Sequence, residues 1–125
     1  MIINWGEVTV KALFILNDAP YGNERTYNGL RLAGAIAQQE GNEVHLFMIG
    51  DAVSSAHRNQ KVPSGFYSIE VMLGNVIRHG GKVGICGTCM DARGLADKDL
   101  AEGIHRSTLA ELVEWTAWSD KVLVF

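Results

Sequence analysis

Five short apolar runs, each ended by turn chemistry and separated by stretches of helical spacing, constrain this chain more than any other feature. Val8 to Leu16 is β-branched and almost continuously apolar, as a strand covered on both faces should be. It stops at Asn17-Asp18-Ala19-Pro20-Tyr21-Gly22-Asn23, a loop sequence. Helical spacing runs from about Glu24 to Glu40, with Leu30, Ala33 and Ala37 on one side, until Gly41-Asn42 ends it. Glu43 to Ile49 repeats the strand pattern and leads into Gly50-Asp51. Ala52 to Ser64 has no firm period: a short helical turn can open it, and Gln60 to Gly65 reads as an exposed loop.

Phe66, Ile69, Met72, Leu73, Val76 and Ile77 recur at three- and four-residue intervals, which predicts a helix over about Gly65 to His79, broken by Gly80-Gly81. Lys82 to Cys86 is a third strand, and Gly87 to Gly94 a loop or helix start. A short helix at Leu95 to Glu102 and a short strand at Gly103 to Arg106 follow. Ser107 or Thr108 caps a last helix, because Glu111 stands at capping-box spacing, and Leu109, Leu112, Val113 and Thr116 form its apolar face. Lys121 to Phe125 is a fifth strand. Strands alternating with helices in this way predict an α/β fold: a three-layer α/β/α sandwich on a mainly parallel five-stranded sheet, Rossmann-like, with right-handed crossovers. The 125 residues form a single domain, 1–125, large enough to bury roughly two-thirds of its unfolded surface.

With 14 acidic against 11 basic residues and no basic stripe, the chain is not expected to bind nucleic acid, which requires surplus cations to displace counterions from phosphates. No apolar stretch nears the roughly 18 residues that cross a bilayer, and Met1 to Glu7 lacks the basic leader and apolar core of a signal peptide. A cytoplasmic, reducing location is the resulting expectation. There, two cysteines three apart point to redox, sulfur or metal chemistry before a structural staple.

In an open parallel sheet, ligands bind at the carboxyl ends of strands, near the point where strand order reverses. Asn17 to Asn23, Gly50 to Ser55 and Cys86 to Gly94 are expected to gather there. Cys86 ends a buried strand just before a glycine turn whose free backbone N–H groups favour a thiolate, with Arg93 adding positive charge if the turn folds back. Read alone, Cys86 has a second, less favoured reading as a small apolar residue closing a strand. Cys89 argues otherwise, since a Cys-x-x-Cys pair places a second sulfur where it can attack a sulfenic acid, mixed disulfide or persulfide on the first.

Asn17, Asp18 and Tyr21, with Gly87, Thr88 and Arg93, are the predicted binding residues, although turn formation explains the first loop about as well. The Cys pair is also half of a zinc knuckle, but no second pair follows, and His45, His57, His79 and His105 lack ligand spacing, so no metal is expected. Gly81-x-x-Gly84-x-x-Gly87 is not a dinucleotide fingerprint and no Walker motif is present, so no cofactor is expected. Trp115 and Trp118 read as core or subunit-contact residues, and His105 either faces the site or is a satisfied strand residue. The tryptophans and apolar helices leave little partner-free surface on so small a domain, which predicts a homo-oligomer.

At Cys86-Gly-Thr-Cys89-Met-Asp-Ala-Arg93-Gly94 the sequence resembles the DsrE/DsrF-like family, with its YchN-like and TusD-type sulfur-relay branches. The resemblance extends through Asn17-Asp-Ala-Pro-Tyr-Gly22, Thr26 to Ala33, Val44 to Val53 and Asp120 to Phe125. It implies a small α/β/α sandwich, assembly as trimers or hexamers, and sulfur donor and acceptor proteins as partners. In the relay members a cysteine ending the third strand carries sulfur as a persulfide, and an Arg-Gly pair follows; Cys86 and Gly94 match that pattern. Cys89 is an addition to it, and gives Cys86 a resolving thiol. The expected function is thus a sulfur carrier, the alternatives being an oligomeric ligand-binding or scaffold protein and a Cys-x-x-Cys redox sensor.

Overall fold

The structure, a computed structural model, describes residues 9–125. Val8, the predicted start of the first strand, and Met1 to Glu7 lie outside the described residues. The strands are β1 (Lys11–Leu16), β2 (Glu43–Met48), β3 (Lys82–Cys86), β4 (Ile104–Ser107) and β5 (Lys121–Val124). All neighbours are parallel, in the order β4-β3-β2-β1-β5. The helices are α1 (Arg25–Gln38), α2 (Ile69–Arg78), α3 (Gly87–Ala92) and α4 (Leu109–Trp118), with tighter 3₁₀ turns at Gly50–Ala56 and Asp97–Asp99.

From β1 to β4 the chain steps in one direction, so right-handed crossovers stack α1, α2 and α3 on one face; the return to β5 lays α4 on the other. Strand side chains alternate accordingly. Ala12, Phe14, Leu16, Leu46, Met48, Val83 and Ile85 meet Leu30 and Ala33 of α1 and Leu73 and Val76 of α2 in the larger core. Each fully buried Leu, Phe or Met among them contributes roughly 1.5–3 kcal/mol. The opposite face is thinner: Leu13 and Phe47 pack on Trp115 of α4, with Ile15, Ile49, Cys86 and Leu112 around them. His45, on the same face, lies edge-on to Trp115 at 4.6 Å and over Trp118 at 3.8 Å, so both tryptophans are packing residues. No helix among the described residues is long and apolar enough to cross a membrane.

Five elements differ from the sequence expectation: β1 begins only at Lys11, after Thr9 and Val10, and four others depart further. Helix α2 starts at Ile69, not Gly65, because the Ser68 hydroxyl caps it by accepting the Val71 N–H at 3.3 Å. Phe66 stays outside, exposed and stacked on Tyr67, which stacks in turn on Tyr27. The helix expected at Leu95 to Glu102 shrinks to Asp97–Asp99, since tertiary hydrogen bonds claim the neighbouring backbone: Arg58 N–H to Asp99 O and Ala101 N–H to Ala56 O, each 2.8 Å. Strand β4 is displaced by one residue, to end on Ser107. In α4 the inward residue is Trp115; Leu109 and Val113, expected on its apolar face, are 73% and 61% exposed, and Thr116 is exposed too. Thr108 is its cap, accepting the Glu111 N–H at 3.2 Å.

Candidate functional site

Strand β3 delivers Cys86 to the carboxyl edge of the sheet, where it becomes the N-cap of α3. Its Sγ accepts the Cys89 N–H at 3.2 Å, and the Thr88 hydroxyl lies 3.3 Å from it. One helical turn brings Cys89 back over Cys86, with the Cα atoms 5.2 Å apart and the sulfurs joined in a disulfide. The Gly50 N–H points at Cys89 Sγ from 3.3 Å. Gly50 aims it from a left-handed conformation, φ +59°, which glycine adopts without strain. Each sulfur therefore faces a backbone donor, and such donors favour the thiolate once the pair is reduced.

Two arginines hold this turn from either side. Arg93 reaches Asp51 with Nη2 at 2.8 Å and Nε at 3.1 Å and donates to Cys89 O at 3.0 Å, joining the Gly50–Ala56 turn to α3. Arg106 of β4 donates to Asp91 at 2.9 Å, Asp97 at 2.8 Å and the Gly87 carbonyl at 3.0 Å. Hydrogen bonds to Asp91 first, then to Asp97, hold its guanidinium above the ordinary arginine value. Gly87 permits this approach: a Cβ there would stand 2.8 Å from Arg106 Nη1 and 3.1 Å from the Ser107 carbonyl.

Beside the sulfurs, on the α4 face, lies a cavity of about 630 Å³. Phe47 and Ile49 line it from the end of β2, Leu109 and Leu112 from α4, and Cys86 and Cys89 from the third side. Ser107, paired in register with Cys86, also lines it and donates to the Glu111 carboxylate at 2.6 Å. The same carboxylate oxygen bonds His105. Burial alone pushes the Glu111 carboxyl up, but the bonds from Ser107 and His105 and the charges of His105 and Lys82 outweigh it, holding the group below the usual carboxylate value.

Of the predicted site residues, Cys86, Gly87, Thr88 and Cys89 share this cavity, and Arg93 stands behind the pair through Cys89 O. The first loop bonds elsewhere. Asn17 donates to the Phe125 carbonyl at 3.1 Å, the Asp18 carboxylate pairs with Arg25 at 3.2 Å, and the Tyr21 hydroxyl accepts the Ile69 N–H at 3.1 Å. The pair itself lies two strands from β1, where the strand order reverses. His105 faces Glu111 and the Trp115 edge rather than the cavity. Sequence reasoning did not find Phe47, Ile49, Arg106, Ser107 or Leu112; Ser107 sits opposite Cys86 on the neighbouring strand, a pairing that only the sheet register reveals. Among the described residues no three His, Cys, Asp or Glu side chains converge as metal ligands.

Residues 10–125 match the model of the DsrE/DsrF-like family. Protein YchN of Escherichia coli strain K12 is 42% identical over 116 residues, 92% of this chain and 98% of that one. An uncharacterized protein of Methanocaldococcus jannaschii is 39% identical over 116 residues, 93% of this chain and 100% of its own. The crystal structure of YchN from E. coli covers 92% of this chain and 98% of its own with a TM-score of 0.86 at 41% identity. A protein of unknown function from Methanobacterium thermoautotrophicum, 14% identical with a TM-score of 0.71 over 92% of this chain and 98% of its own, shares the fold.

Proposed function

Because the chain belongs to the DsrE/DsrF-like family, we propose that it is a small sulfur carrier in which Cys86 accepts a sulfane sulfur as a persulfide and Cys89 resolves it. One observation carries this reading: both sulfurs meet at the open edge of the sheet, each facing a backbone N–H, beside a cavity. The Cys86 thiolate attacks the outer sulfur of a donor persulfide, the donor S–S bond breaks, and the donor leaves as a thiolate. Attack by Cys89 on Cys86 Sγ then expels hydrosulfide and leaves the disulfide, which a thiol reductant reopens. The cycle suits a reducing compartment, and the cytoplasm is the proposed setting.

Intact-mass measurement after exposure to a persulfide donor tests this. The Cys89→Ser variant is expected to retain the mass of one sulfur atom and Cys86→Ser to gain none. Equal gain by Cys86→Ser, or no gain by Cys89→Ser, would refute the assignment.

The proposal includes self-association. Val122 and Val124 of edge strand β5 register with Leu13 and Ile15, on the face α4 only partly covers, and are 44% and 65% exposed. Exposed apolar side chains on an edge strand are of the kind that copies of a chain bury against one another. Light scattering is expected to give a multiple of 13.6 kDa for wild type and a smaller assembly for Val124→Lys. A wild-type monomer at micromolar concentration would remove this part of the proposal.

A further inference from the structure

The cavity beside Cys86 has a chemical character that selects among sulfur compounds. Its walls are apolar where they face the sulfurs, with Phe47, Ile49, Leu109 and Leu112 on two sides, and its volume of about 630 Å³ falls in the range of small-molecule sites. Among the described residues only Asp91 and Arg106 bring charge to its lining. Each nitrogen of Arg106 already donates one hydrogen bond: Nε to Asp97, Nη2 to Asp91 and Nη1 to the Gly87 carbonyl. Within the lining the charges of Asp91 and Arg106 cancel, which leaves no surplus positive charge at the rim. Arg93, the other nearby cation, is paired with Asp51 outside the lining. An anionic ligand would thus lose hydration without meeting an unpaired cation.

We infer that this cavity takes the uncharged, apolar body R of an organic sulfur compound, R–S–SH or R–S–S–R, and discriminates against anionic sulfur donors. The inference rests on Cys86 being the nucleophile and names the class of its small-molecule substrate. With R–S–SH, the Cys86 thiolate bonds to the outer sulfur, the S–S bond breaks, and R–S⁻ leaves and takes a proton from water, giving Cys86–S–SH and R–SH. With R–S–S–R, Cys86 displaces one R–S⁻, and the Cys89 thiolate then attacks Cys86 Sγ and displaces the second. Two electrons pass from the cysteine pair to the small disulfide, and no further oxidant enters.

Two chromogenic aromatic disulfides of similar size separate the possibilities: uncharged dithiodipyridine, and dithiobis(nitrobenzoate), with a carboxylate on each ring. Reaction rates of the reduced protein are divided by those of free dithiothreitol at the same pH, which removes the intrinsic difference between the probes. The normalised rate is expected to favour the uncharged probe by about tenfold or more, the scale on which hydrophobic sites discriminate. Leu109→Lys, at a position exposed enough to tolerate the change, places a cation at the cavity mouth and is expected to erase most of that preference. A normalised ratio of one or below in wild type, or a ratio unmoved by Leu109→Lys, overturns the inference. If sulfur transfer to the Cys89→Ser variant persists in that case, the inference alone has failed. If neither probe reacts at Cys86 and no sulfur is gained, the carrier reading fails with it.

Discussion

Acidification should destabilise this protein through one imidazole. His45 is 8% exposed, lies between Trp115 and Trp118, and its Nδ1 has no hydrogen-bond partner among the described residues. Burial first, then the neighbouring Lys82 charge, push its pKa from 6.5 down to about 4, against a smaller opposing pull from Glu111. The folded state therefore binds this proton less readily than the unfolded chain. The associated stability is complete above the unfolded value of 6.5 and drains away as the pH falls toward about 4. Each tenfold change in proton affinity is worth about 1.4 kcal/mol, so the whole span amounts to about 3 kcal/mol, of which about 2 kcal/mol is lost between about pH 7.5 and about pH 5. At about pH 5 Glu111, held below the usual carboxylate value, is still ionised, so its own acid loss falls at lower pH. Urea denaturation at the two pH values, for wild type and for His45→Phe, isolates the effect, since every other ionisable group is common to the two proteins. The phenyl ring keeps the contact with the tryptophans without a proton to bind. The drop is expected to be about 2 kcal/mol smaller in the variant. Equal drops in the two proteins would refute the reasoning, and His45→Leu provides the same comparison should the phenyl ring pack poorly.

Two further substitutions test how the site is held. Gly87→Ala forces a Cβ against Arg106 Nη1 and the Ser107 carbonyl and is expected to cost about 1–3 kcal/mol in urea denaturation. Gly22→Ala, where a Cβ meets nothing within 4 Å, is the matched control, and equal stability of the two variants would show that the close approach carries no energy. Thr108→Ala removes the α4 cap and is expected to cost about 1 kcal/mol, with faster hydrogen exchange at the Glu111 amide; an unchanged exchange rate would contradict the capping role.

Strands β1 to β3 were legible because burial on both faces writes itself as largely apolar runs: β3 matches its expected span, and Cys86 its expected place at the strand's end. Boundaries set by tertiary partners were not. Nothing local tells Phe66 to stack on Tyr67 instead of joining α2, or tells the backbone near Leu100 and Ala101 to bond the Gly50–Ala56 turn and its neighbour instead of itself. Helix α4 is apolar on several sides, so its spacing could not say that Trp115 faces the sheet while Leu109 and Val113 face out. The Cys pair announced itself in one contiguous motif, whereas the cavity wall draws on β2, β4 and α4, residues unrelated in sequence until the sheet aligns them.

The pairing of β1 with β5 has a consequence for synthesis. Lys11 bonds Asp120 across a sequence separation of 109, so β1 stays a bare edge, open on the side β5 will cover, until that much chain has been made. At ribosomal rates of ~5–20 residues per second the interval lasts roughly 5–20 s. Throughout it, a nascent sheet carrying Phe14 and Leu16 offers unpaired backbone to any other chain nearby. The finished molecule has β5 over that edge, so this exposure belongs to biogenesis alone.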